Sequence, residues 1–198
     1  MGEVGYYPDQ YLNRLAHEGV NGLYITVKFH ELVSTTYTPN AGIDAEKRLA
    51  KLRQTVNKCS RYGIKVYILG HEPRLWETDN PVIKRYPELA GVPFKLGYFF
   101  CPSSQTAQSY LYESLNKIFR AVPGLGGMIT LSYGEGYTTC ASSNPGLCPR
   151  CKDKEKWEIL SAALSAMEKG IHDADPEAEL ISWPYAPDPN NQTIRDIA

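Results

Sequence analysis

The sequence lacks the features that mark membrane, nucleic-acid-binding and disulfide-framed proteins. No apolar run approaches the ~20 residues that a membrane helix needs. The 21 Lys and Arg residues nearly equal the 22 Asp and Glu residues and form no basic block, which argues against nucleic acid or an anionic membrane as the main partner. Five cysteines are an odd number, which fits a disulfide-framed secreted domain poorly and favours reduced thiols or thiolate ligands. Without a basic-then-apolar leader, the chain as written is expected to be soluble and cytoplasmic.

Apolar runs of strand length alternate with segments of helical periodicity. Strands are predicted at residues 22–29, 64–69, 128–131 and 178–183. One helix precedes the first strand, and one helix lies between each strand and the next. Residues 75–102 are rich in proline and aromatics without a clear period, so they are expected to be a functional loop or to carry small elements of their own. This alternation predicts an α/β fold with parallel strands and right-handed crossovers.

The predicted helices have recognisable ends and faces. Asp44 is the predicted N-cap of the second helix, and Ser103 or Ser104 caps the third. Trp157 and Met167 are predicted on the buried face of the fourth helix because they fall on the same apolar stripe.

The order of elements indicates a partial (β/α) TIM barrel. A complete barrel takes roughly 250 residues, and the long loops here leave room for about four βα units. The chain also opens on a helix that lacks its preceding strand. We therefore predict one domain over residues 1–198 that is a fragment of a barrel, with a small open α/β sandwich as the alternative. An unclosed sheet exposes strand edges, so self-association through the open barrel edges is expected.

Glutamates follow three of the predicted strands. Glu135 lies between two glycines after the third strand, and Glu31 and Glu72 follow the first two. Parallel strands bring their carboxyl ends to one edge, where catalytic groups collect. Two carboxyl groups ~5 to 10 Å apart are what glycoside hydrolysis needs, one to protonate the leaving oxygen and one to act as base or nucleophile. The alternative is that these carboxylates cap nearby helices or pair with Arg74 and Lys28.

Aromatic and basic side chains are predicted at the same edge. The aromatic set, which suits the apolar face and hydroxyl rim of a sugar ring, consists of Trp76, Tyr133, Tyr137, Trp183 and Tyr185. Trp183 alternates with apolar neighbours, so filling the core is its alternative role. His30 and His71 also follow strands and are predicted to position the substrate rather than to transfer protons. Glu31 and Arg74 are predicted to hold sugar hydroxyls beside them.

The cysteines indicate a metal site. Cys148 and Cys151 are spaced so that both sulfurs can face one tetrahedral ion, for which zinc is the common occupant, and Cys140 lies eight residues upstream of Cys148. Cys101 is the candidate fourth ligand because it lies in the neighbouring strand-end loop. The alternatives are a redox pair or free thiols, whereas Cys59 falls on a buried helix face. We expect a structural Zn site and no organic cofactor.

Four short motifs stand at or near the predicted strand ends. They are His71-Glu-Pro-Arg74, Cys101-Pro-Ser-Ser104, the Gly-Gly-x-Ile-Thr run into Glu135, and Thr139-Cys140 before Cys148-Pro-Arg-Cys151. Together they resemble a group of bacterial glycoside-hydrolase-like TIM-barrel proteins akin to the family 20 hexosaminidases. In family 20 enzymes, adjacent Asp and Glu at a strand end orient the substrate's acetamido group and act as general acid. The resemblance implies that Glu135 is the acid, while Gly134 stands in the place of the Asp. His71-Glu72-Pro73 is also similar to the Asn-Glu-Pro motif of another glycosidase clan.

These patterns lead to one hypothesis of function and two alternatives. The main hypothesis is a glycoside hydrolase acting on a carbohydrate glycosidic bond, with Glu135 as general acid and Glu72 as its carboxylate partner. The first alternative is a non-catalytic carbohydrate-binding or scaffold fragment with a structural zinc site, since half a barrel lacks the carboxylates of the other strands. The second is a zinc hydrolase, which requires an open metal position near Glu135.

Overall fold

The fold alternates helices and strands along most of its length. A computed structural model describes residues 7–40, 42–70, 72, 74, 76–134 and 138–185. In chain order the elements are α1 Asp9–His17, β1 Gly22–Val27, α2 Phe29–Leu32, α3 Ala45–Ser60, β2 Lys65–Gly70, β3 Trp76–Glu77, α4 Pro81–Arg85, β4 Ala90–Phe94, β5 Gly97–Phe100, α5 Gln105–Ala121, β6 Gly127–Tyr133, α6 Lys156–His172 and β7 Glu179–Pro184. None of the helices in these ranges is long and apolar enough to cross a membrane.

The main sheet has four strands in the order β1-β2-β6-β7, and every neighbouring pair is parallel. The order follows the chain, and α3, α5 and α6 lie in the three crossovers. Parallel strands joined in chain order by helices are the repeating unit of a (β/α) barrel. The predicted α/β class and partial barrel are therefore confirmed. The bounds of all four strands differ from the predicted ones by one or two residues. β1, for example, ends at Val27, because Phe29 already starts the single helical turn α2.

The crossover helices bury the apolar faces that their periodicity predicts. Ala107, Leu111 and Leu115 of α5 are fully buried in the main core. Burial of a leucine side chain stabilises the fold by roughly 1.5–3 kcal/mol. Ser104 caps α5, because its hydroxyl accepts a hydrogen bond from the N–H of Ala107 at 3.4 Å.

Two helix details differ from what the sequence suggests. Asp44 lies at the N-cap position of α3, as predicted, but its backbone is left-handed (φ 69°) and its side chain makes no capping hydrogen bond. Trp157 is 42% exposed instead of buried. It lies in the first turn of α6, and the buried stripe of that helix runs through Ile159, Ala163 and Met167.

Residues 75–102 carry small elements of their own, one of the two outcomes expected for that segment. Strands β3, β5 and β4 form a separate antiparallel sheet in that order. Its central strand reaches the loop after β6, because Phe100 donates its N–H to the carbonyl of Thr138 at 3.0 Å. A second core, separate from the main one, includes side chains of this antiparallel sheet. It consists of Val92, Phe99, Cys101, Tyr133, Cys140, Ala141, Cys148, Cys151, Ile159 and Leu160.

Both outer strands of the main sheet present apolar side chains to solvent. Among the described strands, β1 pairs only with β2, and β7 pairs only with β6. Tyr24 on β1 is 58% exposed, and Trp183 on β7 is 48% exposed. Trp183 therefore does not fill the core of the described structure, and both edges offer surface that further strands can cover.

Candidate functional site

The carboxyl ends of the four parallel strands lie at one edge of the main sheet. β1, β2, β6 and β7 end at Val27, Gly70, Tyr133 and Pro184. Because these strands run in the same direction, the residues that follow them share this edge. The predicted site residues that the structure describes are His30, Glu31, Glu72, Arg74, Trp76, Tyr133, Trp183 and Tyr185. Three others, Glu135, His71 and Tyr137, lie outside the described residues.

Glu72 is the centre of a hydrogen-bond network at this edge. The residue is 6% exposed. Its Oε2 accepts from the backbone N–H of Phe29 at 2.9 Å, and its Oε1 accepts from the hydroxyl of Tyr110 at 3.4 Å. The hydroxyl of Thr130 on β6 donates to the backbone carbonyl of Glu72 at 3.1 Å. The network therefore ties α2, α5 and β6 to the end of β2.

The contact with Phe29 is a helix cap. Phe29 is the first residue of α2, so its N–H has no partner inside that helix. The carboxylate of Glu72 supplies the missing acceptor from 43 residues away in the chain. Glu72 therefore fulfils the alternative role predicted for strand-end carboxylates, which is to cap a nearby helix.

His30 faces Glu72 at ion-pair distance. Its Nδ1 lies 3.9 Å from Oε1 of Glu72, while 52% of its side chain is exposed. Interaction with the Glu72 carboxylate raises the pKa of His30; burial opposes the rise, and the charge of Glu31 adds to it. Burial and the charge of Glu72 also raise the pKa of Tyr110 well above its usual value. The hydroxyl of Tyr110 therefore stays protonated and available as a donor.

Glu31 pairs with a neighbour on its own segment. Its Oε1 lies 3.2 Å from Nζ of Lys28, and both side chains are partly exposed. Exposed pairs of this kind contribute little to stability. The predicted alternative of pairing with Lys28 therefore applies to Glu31. Arg74, which follows the end of β2 at Gly70, is exposed.

The predicted aromatic set is divided by burial. Tyr133 lies in the second core, where the ammonium of Lys156 sits 5.6 Å from its ring centroid. Trp76 is half-buried, with its ring edge-on to Tyr110 at 5.7 Å. Its Nε1 is buried and has no hydrogen-bond partner within the described ranges. The members with exposed rings are Trp183 and Tyr185.

The sequence pattern missed the partners that hold Glu72. Tyr110 lies three residues after Ala107, on the buried face of α5. A buried tyrosine needs an acceptor for its hydroxyl, so its place on that apolar stripe was a usable signal. The N–H of Phe29 carries no side-chain signal at all. Thr130 is one of the few polar residues on β6, which is otherwise mostly apolar, and it is fully buried.

Four cysteines meet in the second core, as their spacing predicted. The Sγ atoms of Cys101, Cys140, Cys148 and Cys151 lie within 4.8 Å of one another, and all four residues are buried. Sγ of Cys101 is 3.6 Å from that of Cys148 and 3.7 Å from that of Cys151. Zn–S bonds of about 2.3 Å in a tetrahedron place sulfurs about 3.8 Å apart. This donor set fits a tetrahedral metal ion better than an isolated redox pair. Cys59, in contrast, is buried in the main core as predicted.

Arg150 brings positive charge to this cluster. Its Nε lies 3.2 Å from Sγ of Cys101, and its Nη2 donates to the carbonyl of Ala90. Hydrogen bonds from Cys140 and Cys151, together with Arg150, lower the pKa of Cys101 to about 2. The hydrogen bond to Cys101 and burial raise the pKa of Cys140. The guanidinium therefore favours the thiolate form of Cys101.

Solved structures with a similar fold include glycoside hydrolases with TIM-barrel folds. A family 5 enzyme from Prevotella bryantii B14, in complex with a xyloglucan tetradecasaccharide, is 13% identical, with a TM-score of 0.56 over 94% of this chain and 48% of that chain. The alpha-galactosidase from Lactobacillus brevis is 12% identical, with a TM-score of 0.54 over 87% of this chain and 24% of that one. A GH138 enzyme targeting pectin rhamnogalacturonan II is 16% identical, with a TM-score of 0.53 over 85% and 18%.

The likeness to these structures shows the fold. The chain spans 18–48% of the length of the three solved structures. No family model and no curated protein matches the sequence.

Proposed function

We propose that this chain forms part of a glycoside hydrolase barrel that acts on a carbohydrate glycosidic bond. One observation carries the proposal: the buried carboxylate of Glu72 follows β2 at the carboxyl edge of a parallel sheet, in a fold that glycoside hydrolases share. Catalytic groups of such barrels lie at this edge. In this account residues 1–198 form one domain and a fragment of the complete barrel.

Glu135 is the proposed general acid, and Glu72 is its proposed carboxylate partner. β2 and β6 are neighbours in the sheet, so carboxyl groups that follow these two strands are expected within the ~5 to 10 Å that glycoside hydrolysis uses. Gly134, directly before Glu135, has φ of +89°. That left-handed conformation suits glycine and turns the chain at the end of β6.

The substrate is proposed to lie against the side chains around this pair. The proposed contacts are His30, Glu31, His71, Arg74, Trp76, Tyr133, Tyr137, Trp183 and Tyr185. The exposed rings of Trp183 and Tyr185 support stacking on a sugar. Gly134 stands where family 20 hexosaminidases have their Asp, so no carboxylate at that position can orient an acetamido group. We therefore propose acid–base hydrolysis without acetamido assistance.

The cysteine cluster is proposed to hold a structural zinc ion. Cys101, Cys140, Cys148 and Cys151 would bind it, which ties the end of β5 to the loop between β6 and α6. Four thiolates close a tetrahedral site. They leave no open position for the water that a zinc hydrolase activates, so the donor set argues against that alternative.

A non-catalytic carbohydrate-binding module is the second candidate. It is favoured by the engagement of both Glu72 oxygens in structural hydrogen bonds. A carboxylate held in this way can cap a helix without reacting. The exposed aromatic rings at the same edge would serve binding alone equally well.

Binding and turnover measured on the same sample separate the two candidates. The full-length protein, Glu135→Gln and the control Glu168→Gln, an exposed carboxylate on α6, are titrated calorimetrically with 4-nitrophenyl glycosides and assayed for release of nitrophenol. The hydrolase proposal expects Glu135→Gln to bind while its turnover falls by roughly 10²–10⁴, as loss of a general acid does. Unchanged turnover of Glu135→Gln would refute its role. Binding without turnover in every protein would establish the binding module.

A further inference from the structure

Glu72 is poorly placed to touch a substrate itself. Only 6% of the residue is exposed, Oε2 is held by the N–H of Phe29 at 2.9 Å, and Oε1 is held by the hydroxyl of Tyr110 at 3.4 Å. To reach a bound sugar, the carboxylate would have to break both hydrogen bonds and uncap α2. An unpaired buried N–H destabilises the fold, because the donor has lost its water and gains no other acceptor.

His30 is accessible where Glu72 is not. The imidazole presents Nδ1 to Oε1 of Glu72 at 3.9 Å, and 52% of its side chain is exposed. The two nitrogens point to opposite sides of the ring, so Nε2 faces away from Glu72. Within the described ranges no hydrogen bond involves Nε2, and the ring is about half open to solvent.

We propose that His30 is the proton-transferring side chain at this edge and that Glu72 is the residue that positions it. The inference rests on the proposed function and assigns a different role to each partner. Glu72 orients the ring and stabilises the imidazolium, as buried carboxylates do for histidine bases. His30, and not Glu72, contacts the reacting water.

The proposed step balances protons and bonds. Nε2 of His30 accepts a proton from a water molecule whose oxygen forms the new bond to the anomeric carbon. The glycosidic C–O bond breaks, and its oxygen takes the proton of Glu135. The imidazolium then returns a proton through solvent to the Glu135 carboxylate, which restores both groups and leaves net hydrolysis.

The charges around His30 favour this role. Glu72, whose carboxylate accepts from Tyr110 of α5, faces it from the end of β2, and Lys28 and Glu31 act on it from its own segment. Lys28 and Glu31 are 3.2 Å apart and largely offset each other. The Glu72 carboxylate therefore dominates, and it raises the pKa of His30 against the opposing effects of burial and Lys28.

The pairing is tested by following the His30 ring in NMR spectra as pH changes. Glu72→Gln keeps the shape and the acceptor oxygen but removes the charge, so the titration midpoint of His30 should fall by about one pH unit, the lower end for losing a charge at this distance. Glu31→Gln is the matched control and should produce a smaller fall. His17, on α1, is the internal reference. An unchanged His30 midpoint in Glu72→Gln would overturn the pairing.

The proton-transfer role is tested by the pH dependence of turnover of 4-nitrophenyl glycosides. A histidine base is active when neutral, so the rate should rise with pH through the His30 midpoint, and Glu72→Gln should move that rise to lower pH. His30→Gln should lower kcat by roughly 10²–10⁴ with little change in KM. If the wild-type protein turns over and His30→Gln matches it at every pH, the His30 assignment is wrong while the hydrolase proposal stands. If the wild-type protein is inactive, the hydrolase proposal and the catalytic role both fail, and NMR still reports the pairing.

Discussion

Loss of one sulfur from the cysteine cluster should remove the zinc ion and destabilise the fold. Replacing Cys148 with serine removes one of four sulfurs that lie within 4.8 Å of one another. Serine is a poor zinc ligand, and three thiolates bind zinc far more weakly than four. We expect the wild-type protein to contain about one zinc ion per chain and Cys148→Ser to contain none after dialysis.

The expected size of the stability loss follows from mass action. A metal present at 1,000 times its Kd stabilises the folded state by about 4.1 kcal/mol. For a chain of this length each kcal/mol shifts Tm by about 2–4 °C. Cys148→Ser should therefore unfold about 8–16 °C below the wild-type protein in zinc-containing buffer, and a chelator should produce a similar fall in the wild-type protein alone.

The assay combines elemental analysis with thermal unfolding. Cys59→Ala is the matched control, since Cys59 is equally buried but lies in the main core. It should lower Tm through lost packing while the zinc content stays unchanged. If Cys148→Ser retains full zinc content, or if the wild-type protein takes up no zinc when it is supplied, the cluster is not the site argued above.

Three further predictions address the supporting structure. Gly91→Ala, on β4, should lower zinc content and Tm, because an added Cβ would collide with Sγ of Cys140. Gly146→Ala, in the loop that carries Cys148, should retain zinc, because the nearest atom to its added Cβ is 3.1 Å away; equal zinc content in the two variants would contradict this packing. Tyr110→Phe should lower the free energy of unfolding by about 1 kcal/mol, because it deletes one long hydrogen bond to Glu72, and a urea titration showing no loss would count against that bond. Light scattering of the 198-residue chain should show self-association through the exposed edges at Tyr24 and Trp183, and a clean monomer would refute it.

The sequence was sufficient to predict the main sheet. Its four strands are short apolar runs, and each is separated from the next by a segment with a helical apolar stripe. Because such alternation fixes parallel direction and neighbour order, it also placed Cys101 beside the loop of Cys148 and Cys151. The four-cysteine cluster could be predicted for that reason, although two of its ligands are 39 and 47 residues from Cys101.

The environment of Glu72 could not be read from the sequence. The pattern placed this residue at a strand end but gave no sign that both carboxylate oxygens are engaged. One oxygen accepts from the backbone N–H of Phe29, which has no partner inside the single turn of α2. The other accepts from the hydroxyl of Tyr110 on α5, in a different crossover of the sheet. Likewise, β3 and β5 are only two and four residues long, too short for a two-residue period to be recognised.

The central claim is that Glu72 and Glu135, from neighbouring strands, meet at one edge of the sheet. The most direct test is the distance between their carboxyl groups in a crystal structure of the full-length protein. The account predicts about 5 to 10 Å between the two carboxyl groups. A structure in which the two carboxyl groups lie on opposite faces of the sheet, or more than roughly 15 Å apart, would contradict it.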